Sequence, residues 1–188
     1  MKIGILALQG AVNEHRVMLA RLGVNTAEVR LPQDLSGIDA LVIPGGESTT
    51  ISKLLSSFSL IQPIKERIQD GFPILGTCAG LIILAKDVVD DNKLGTLNVM
   101  EVAVRRNAYG RQLESFETDL YIIPLGEKLF KGVFIRAPKI ESVGMGTEVL
   151  CQLNGNVVAI KQGKMIACTF HPELTEDDRF HRYFLELI

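Results

Sequence analysis

The sequence predicts an α/β protein: a single open sheet, mostly parallel or mixed, with helices on both of its faces. Two observations predict this fold class. In the first half of the chain, short continuous apolar runs occur between amphipathic helical segments, and only a parallel sheet covered on both faces buries its strands on two sides. In the second half, residues 98–170, short β-branched runs are separated by turn residues, which indicates further strands.

The first half contains four predicted strands and four predicted helices. The strands are the apolar runs at residues 2–8, 25–31, 40–43 and 73–75. The helices are a segment opened by Asn13 as N-cap, a segment capped by Ser48, Thr49 or Thr50, and the segments 61–69 and 81–86.

The second half is predicted to be mostly β and to close with a helix. Its strand-like runs are residues 102–104, 121–123, 133–135, 157–160 and 165–170, and residues 176–188 form an amphipathic helix. Cys151 and Cys168 fall in apolar strands, so we expect both to be ordinary core residues. His15 lies in the first helix, either as an ordinary residue or at an interface, and His181 on the last helix is expected to be solvated.

Composition limits the function classes. The chain has 188 residues, 47% of them apolar, so we expect one domain spanning residues 1–188. The formal net charge is −2, with no basic block beyond Arg105 and Arg106, which does not indicate a nucleic-acid partner. No apolar stretch approaches the roughly 20 residues of a membrane helix. Three widely spaced cysteines and the lack of a convincing signal peptide favour a reducing cytoplasm.

The first candidate for chemistry is residues 76–80, Gly-Thr-Cys-Ala-Gly, which match a nucleophile elbow with Cys78 in place of serine. A strand that reverses sharply into a helix strains its central residue, and flanking glycines let the strand and the helix approach each other. Cys78 then lies at a helix N-terminus, where the dipole favours a thiolate. The competing interpretation is a small buried residue in a tight turn.

The second candidate places His171 where a predicted strand stops. Pro172 fixes its own φ and pushes His171 into an extended conformation, so the side chains of His171 and Glu173 point to the same side. Glu173 then holds the imidazole in one tautomer, while the other ring nitrogen takes the proton from Cys78 and gives it to a leaving amine. The competing interpretation is a turn with a surface carboxylate.

The third candidate is residues 44–48, Pro-Gly-Gly-Glu-Ser, again directly after a predicted buried strand. The N–H groups of Gly46 and Ala79 would form an oxyanion hole. Because peptides between glycines flip at low steric cost, docking of a partner is a way to aim a donor that points away in the isolated protein. A plain loop with Ser48 as helix cap is the competing interpretation, and it is compatible with the first.

All three segments follow strands of one predicted sheet, and reactive groups gather at the carboxyl ends of such strands. A cysteine, a histidine, a carboxylate and backbone donors at one edge indicate nucleophilic catalysis. Neither a Cys-x2-Cys nor a His-x3-His pattern occurs, so we expect no metal site and no cofactor.

The three segments resemble the class I, or triad, glutamine amidotransferases, whose elbow cysteine and His-x-Glu they match. Further segments narrow the resemblance to the family of glutaminase subunits of pyridoxal 5'-phosphate synthase. The matching segments cover essentially the whole chain: residues 8–12 with Glu14 and His15, then 44–50, 76–81, 106–112, 134–138 and 170–175. The resemblance implies a flavodoxin-like amidotransferase domain without a fused synthase.

The resemblance implies hydrolysis of L-glutamine to L-glutamate and ammonia through a glutamyl thioester on Cys78. His171 is then the general acid and base, and Glu173 its orienter. The positions that match the family's glutamine-contacting residues are Gly46, Glu47, Ser48, Arg106, Ile135 and Arg136. A guanidinium can clamp a substrate carboxylate through two hydrogen bonds. The neighbouring Arg105 leaves open which arginine contacts substrate, and ordinary surface charge is the competing interpretation for each.

The resemblance also implies a partner. Ammonia released into water is protonated and is no longer a nucleophile, so a glutaminase is expected to deliver it directly. In the family, the recipient is a (β/α)8-barrel synthase in a large hetero-oligomer, which condenses ammonia with a pentose phosphate and a triose phosphate. The glutaminase is poorly active until it docks.

Two other functions remain open at this point. The Cys-His-Glu triad also suits a peptidase, or the glutaminase subunit of another amidotransferase that feeds a different synthase. Labelling of Cys78 by a glutamine-analogue electrophile argues against a peptidase. The non-enzymatic alternative is a regulatory binding module on the same fold. It would be favoured if Cys78→Ala caused no loss of partner-dependent glutaminase activity.

Overall fold

The structure, a computed structural model, describes residues 1–91, 93–106 and 115–188. The strands are β1 (Lys2–Leu6), β2 (Asn25–Val29), β3 (Ala40–Ile43), β4 (Ile74–Thr77), β5 (Ala85–Val88), β6 (Met100–Arg105), β7 (Ser115–Leu120), β8 (Phe130–Ile135), β9 (Lys139–Val143), β10 (Glu148–Leu153), β11 (Asn156–Gln162) and β12 (Met165–Cys168). The helices are α1 (Val12–Arg21), α2 (Ser48–Ser57), α3 (Ile61–Gln69), α4 (Ala79–Leu84) and α5 (Arg179–Leu185).

The centre of the fold is a seven-stranded sheet in the order β10-β11-β12-β4-β3-β1-β2. Strands β12, β4, β3, β1 and β2 run parallel, and β10 and β11 extend the sheet as antiparallel neighbours. Two small sheets flank it, one in the order β5-β6-β9 and one formed by β7 and β8. The predicted open, mixed and mostly parallel sheet is confirmed.

Apolar side chains cover both faces of the central sheet. On one face, Leu19 of α1 and Phe180 of α5 pack in one fully buried cluster with Phe134 of β8. On the other face, a second cluster joins Ile51 of α2 and Ile64 of α3 to α4 and to the β5-β6-β9 sheet. Burial of each such side chain contributes roughly 1.5–3 kcal/mol. The predicted covering of both faces is therefore confirmed. Among the described residues, every helix is too short or too polar to span a bilayer.

Both predicted helix caps were wrong by one or two residues. Helix α1 begins at Val12, so Asn13 lies inside it, because the carbonyl oxygen of Ala11 already accepts the first helical hydrogen bond, from the N–H of His15 at 3.3 Å. Helix α2 is capped by Glu47, whose carboxylate accepts the backbone N–H groups of Thr49 and Thr50 at 3.0 and 2.7 Å. A carboxylate at this position also interacts favourably with the helix dipole.

Two elements near the chain's middle differ from the prediction. The strand expected at residues 121–123 is absent from the described structure: β7 ends at Leu120, and Ile123–Leu125 form a 3-10 turn. The reason is Pro124, which has no N–H to donate to a strand ladder. The helix expected to run to Lys86 ends at Leu84, and Lys86 lies in β5.

The C-terminal helix is shorter than the predicted segment 176–188. It begins only at Arg179, because side chains bond the preceding backbone into a turn. The hydroxyl of Thr175 accepts the N–H of Asp177 at 3.2 Å, and the carboxylate of Asp177 accepts the N–H of Arg179 at 3.1 Å. Such local bonds compete with the helix ladder.

Candidate active site

Cys78 lies at the turn between β4 and α4 with φ 50° and ψ −101°. A positive φ is sterically costly for a residue with a side chain, and it is the strained conformation that an elbow requires. The turn is fixed because the N–H of Cys78 donates to the carbonyl oxygen of Cys168, on the neighbouring strand β12, at 2.9 Å. The Cys78 Sγ lies 3.9 Å from the carbonyl oxygen of Ile135.

The two elbow glycines allow β4, α4 and β3 to approach closely. A Cβ on Gly80 would lie 2.1 Å from the carbonyl oxygen of Ile43. A Cβ on Gly76 would lie 2.6 Å from Cδ1 of Leu84. Any side chain at these positions would therefore force the helix away from the strands, as the motif predicts.

His171 follows β12 and brings the predicted triad together. Its N–H donates to the carbonyl oxygen of Val133 at 2.8 Å, which fixes the backbone on β8. Its Nδ1 lies 2.7 Å from Oε1 of Glu173, and the ring and Cys78 both approach Gly45, where a Cβ would lie 2.4 Å from Cε1 of His171 and 3.4 Å from Cβ of Cys78. Cys78, His171 and Glu173 are each less than a tenth exposed. The arrangement provides a nucleophile, a base and an orienter in sequence.

Electrostatics favour a charged imidazole at this site. Burial disfavours the charge, but hydrogen bonds to Cys78 and Glu173 outweigh it and raise the pKa of His171 to about 10. Burial also disfavours the Glu173 carboxylate, yet His15 and His171, which both face it, lower the pKa of Glu173. An imidazolium beside a cysteine stabilises the thiolate, which is the nucleophilic form.

The other two cysteines are chemically different from Cys78. Both are buried, as predicted for core residues. Burial raises the pKa of Cys151 to about 11 and raises that of Cys168 well above its ordinary value. Neither thiol therefore ionises near neutral pH.

The glycine loop after β3 is held from two sides. The N–H of Gly45 donates to Oγ1 of Thr77 at 3.0 Å, and the carbonyl oxygen of Gly45 accepts the N–H of Ala11 at 3.0 Å. That carbonyl and the N–H of Gly46 belong to one planar trans peptide, so the Gly46 N–H points away from Ala11. The loop also touches the triad: a Cβ on Gly45 would lie 2.4 Å from Cε1 of His171.

A cavity of about 450 Å³ opens beside Cys78, within the usual range for small-molecule sites. The predicted site residues that line it are Gly46, Glu47, Ser48, Cys78, Ala79, Arg106, Ile135, Arg136 and His171. Glu173, the remaining predicted residue, is buried behind His171. The structure thus brings every predicted site residue to one place.

The two candidate arginines occupy different environments. Arg106 lines the cavity, where its guanidinium contacts Oγ1 of Thr49 and Oδ2 of Asp91, both at 3.0 Å. Arg105 points elsewhere and pairs with Glu141 at 2.7 Å. The rest of the matching segment, residues 107–112, lies outside the described residues.

Glu47 lines the cavity, but its carboxylate accepts hydrogen bonds from the first turn of α2. Partial burial disfavours its charge, yet the hydrogen bonds from Thr50 and Thr49 outweigh burial and lower the pKa of Glu47 to about 2. Its backbone N–H donates to Oε1 of Gln9 at 2.6 Å.

The cavity lining includes residues to which the sequence analysis gave no role. These are Gln9, Gly10 and Ala11, which precede α1, Glu14 within α1, and Ile82 and Leu174. A signal for the first group was available, because residues 9–11 follow the end of β1, at the same sheet edge as the other site segments.

His181 is completely buried, so the prediction of a solvated side chain was wrong. Its Nε2 lies 2.9 Å from Nδ1 of His15, which is also completely buried. For His15 a signal existed: Met18 and Leu19 follow at helical spacing, which places His15 on the inward face of α1. The pair lies directly behind Glu173.

Comparison with known proteins agrees with this geometry. Residues 5–188 match the model of the SNO glutamine amidotransferase family. The chain belongs to this family. It is 54% identical to the pyridoxal 5'-phosphate synthase subunit PdxT of Herpetosiphon aurantiacus, with all of both chains covered. It is 50% identical to the subunit of the same name from Carboxydothermus hydrogenoformans, with 100% of this chain and 98% of that relative covered.

Solved structures agree as well. A crystal structure described as a glutamine amidotransferase, 50% identical, gives a TM-score of 0.94 over 98% of this chain and 97% of that one. Another glutamine amidotransferase, from Thermotoga maritima, is 14% identical and gives a TM-score of 0.68 over 99% of this chain and 83% of that one, so it shares the fold. The chain is thus an enzyme of the glutamine amidotransferase class.

Proposed function

We propose that the chain is the glutaminase subunit of pyridoxal 5'-phosphate synthase and that Cys78, His171 and Glu173 are its catalytic triad. The observation that supports the triad is the 2.7 Å contact of the His171 ring with the Glu173 carboxylate, together with the approach of that ring and of Cys78 to Gly45 beside a cavity of about 450 Å³. The name that the relatives share supports the pathway.

The reaction follows from this arrangement. The Cys78 sulfur attacks the side-chain amide carbon of glutamine, and the N–H groups of Gly46 and Ala79 bind the oxyanion. His171 donates its proton to the amide nitrogen, so ammonia leaves and a glutamyl thioester remains on Cys78. His171 then takes a proton from water, whose oxygen attacks the thioester, and L-glutamate leaves as the thiolate re-forms. Each oxyanion donor is expected to contribute about 10²–10³ in kcat.

The cavity walls also provide groups for the amino-acid end of glutamine. Arg106 and Arg136 both line the cavity, and a guanidinium can bind the substrate's α-carboxylate through two hydrogen bonds. Arg106 is held in place by Thr49 and Asp91, so its orientation is set before substrate binds. We assign further substrate contacts to Gly46, Glu47, Ser48 and Ile135.

We further infer that residues 1–188 act as one amidotransferase domain in the cytoplasm and deliver ammonia to a (β/α)8-barrel synthase partner. Both apolar clusters pack on the single central sheet, which supports one domain. Direct delivery follows from chemistry, because ammonia that reaches water becomes ammonium. Docking is expected to reorient the Gly45–Gly46 peptide, which in the isolated chain is tied to Ala11.

A glutaminase assay with and without the purified synthase tests this function. Wild-type turnover is expected to rise roughly tenfold or more when the synthase is added, because docking completes the site. Cys78→Ala should abolish the synthase-dependent turnover. Cys151→Ala, which removes a buried thiol outside the site, is the matched control and should retain it. Equal wild-type rates with and without synthase would refute the coupling, and an active Cys78→Ala variant would refute the triad.

A further inference from the structure

A closed polar cluster lies in the core directly behind the triad. It consists of His181 on α5, His15 on α1, Thr77 at the end of β4, and Glu173. All four are buried, and His15, Thr77 and His181 are completely so. The reaction proposed above uses Glu173 but neither buried histidine. Because polar groups in a core are costly unless they are paired, the cluster calls for a physical explanation.

His15 faces the carboxylate oxygen of Glu173 that His171 does not contact. The Oε1 of Glu173 is taken by Nδ1 of His171 at 2.7 Å. The Oε2 has no hydrogen-bond partner within the part of the chain that the structure describes, and Nε2 of His15 faces it at 3.5 Å. The carboxylate is therefore placed between two imidazoles, one on each oxygen.

The position of the proton on His15 can be decided by comparing its two tautomers. If Nδ1 carried the proton, Glu173 would face the lone pair of Nε2, and the chain of bonds would leave a buried N–H on Nδ1 of His181 without an acceptor. If Nε2 carries the proton, it faces Oε2 of Glu173, and Nδ1 accepts the Nε2–H of His181 at 2.9 Å. Two acceptor sites then lack a direct hydrogen bond, the lone pair of His181 and the Oε2 that the Nε2–H faces at 3.5 Å, and this costs less than a buried charge facing a lone pair beside a buried N–H without an acceptor.

We propose that His15 is a positioning residue for the triad: its Nε2–H, fixed by His181, holds the second oxygen of Glu173 so that the first faces His171. The inference rests on the proposed triad. It extends the triad into a line of five side chains, from His181 through His15, Glu173 and His171 to Cys78.

The same imidazole also connects the triad to the glycine loop. Nε2 of His15 lies 3.2 Å from Oγ1 of Thr77, and that oxygen accepts the N–H of Gly45 at 3.0 Å. One side chain of α1, His15, therefore contacts both parts of the site. It faces the carboxylate of Glu173, and through Thr77 it is connected to the loop that carries the proposed oxyanion donor. A change at His15 is expected to affect both.

The electrostatic surroundings agree with a neutral donor. Burial lowers the pKa of His15, and burial with the adjacent His15 lowers the pKa of His181 to about 3. The titratable groups that face Glu173 are His15, His171, His181 and Cys168, while Glu14 acts on His15 from the same helix. A buried carboxylate surrounded in this way depends on donors rather than on solvent for its charge.

Two polar substitutions of His15, of nearly equal size, distinguish a role in positioning Glu173 from a role in filling the core. In His15→Gln, the side-chain amide nitrogen can occupy the place of Nε2 and donate to Glu173. In His15→Asn, the shorter amide reaches only the place of Nδ1 and cannot. Leu19→Ala is the control for lost stability, because Leu19 is completely buried on the same helix but belongs to the apolar cluster rather than to the polar one.

The measurement is kcat/KM for glutamine from about pH 3.5 to 9 in the complex with synthase, a range that includes the acid limb expected for Glu173, with thermal unfolding of each variant alongside. His15→Asn is expected to lower kcat/KM at neutral pH roughly tenfold and to move the acid limb upward by about one pH unit, because Glu173 loses a donor to its charged form. His15→Gln should stay within about threefold of wild type with an unmoved limb. Leu19→Ala should lower the unfolding temperature and leave the limb in place.

Two results would overturn the proposal: an acid limb of His15→Asn that coincides with wild type, or a His15→Gln variant no better than His15→Asn. The rate of Cys78 alkylation by iodoacetamide against pH, measured on the isolated chain, repeats the comparison without substrate or synthase. Failure of the triad itself is seen separately, as glutaminase activity that survives Cys78→Ala.

Discussion

The molecule contains two buried histidine environments, that of His171 and that of His181, and they shift the pKa of the imidazole in opposite directions. The hydrogen bonds of His171 to Cys78 and Glu173 overcome burial and raise its pKa to about 10. His181 has only another imidazole as its partner among the described residues, and burial lowers its pKa to about 3. Both rings are largely buried, so burial alone does not decide the charge of a histidine. A direct hydrogen bond to an anionic partner distinguishes His171, because His15, which faces Glu173 at 3.5 Å without such a bond, has a lowered pKa.

Replacing Glu173, the anionic partner of His171, should remove the difference between the pKa values of the two histidines. Of the changes considered, it should have the largest effect on activity. Glu173→Gln removes the negative charge that stabilises the His171 imidazolium, and its amide also offers the ring a donor where an acceptor is needed. We expect kcat to fall by about 10⁴, the loss measured for the equivalent change in a serine protease triad. The pKa of His171, followed by NMR titration, should fall as well. Glu176→Gln, an exposed carboxylate of the same segment, is the control, and an equal loss there would contradict this explanation.

Displacing the His171 ring without changing any charge should separate the effect of its position from the effect of the Glu173 charge. In Gly45→Ala the new Cβ would lie 2.4 Å from Cε1 and 2.9 Å from Nδ1 of the ring, so the ring or the loop must move. A shift of about 1 Å in a catalytic group costs on the order of 10²-fold in rate, so kcat/KM should fall by that order. Gly95→Ala, whose Cβ meets only Oγ of Ser52 at 3.2 Å, is the matched control and should keep wild-type activity.

The buried pair His15 and His181 should affect the stability of the fold rather than the reaction rate. This is the smallest of the expected effects. The pKa of His181 is about 3 in the folded chain and about 6.5 in the unfolded one. Between these values the unfolded chain binds more protons, so the free energy of unfolding falls as the pH falls from 6.5 toward 3. His181 alone contributes a slope of about 1.4 kcal/mol per pH unit.

Urea unfolding of wild type and His181→Leu at pH 6.5 and 5.5 measures this slope. The variant is less stable at the higher pH because His15 loses a partner, but its stability should fall less between the two pH values. Parallel pH dependences of the two proteins would show that His181 is not buried as a neutral group.

The sheet, and the meeting of the three proposed triad residues at one place, could be predicted because their signals are local. The elbow needs Gly76 and Gly80 next to Cys78, and Pro172 lies between His171 and Glu173, so each signal spans only a few residues. The order of apolar runs then brings the segments to one sheet edge, and the structure places every predicted site residue there.

The remaining differences depend on contacts between distant parts of the chain. His15 and His181 are 166 positions apart, and the burial of His181 results from the packing of α5 beside α1 against the same face of the sheet. The cap of α2 was missed for a different reason. Serine and threonine are common caps, but the preceding carboxylate of Glu47 reaches two N–H groups at once.

The register between β4 and β12 has a consequence for how the enzyme loses activity. Thr77 and Cys168 are paired in two adjacent central strands, so the proposed nucleophile and the proposed base leave the sheet from neighbouring strands at its centre. Their alignment does not depend on a hinge or on a fraying end. Heat inactivation and amide exchange of the innermost strands should therefore share one midpoint, because the reacting pair comes apart only when the whole sheet does.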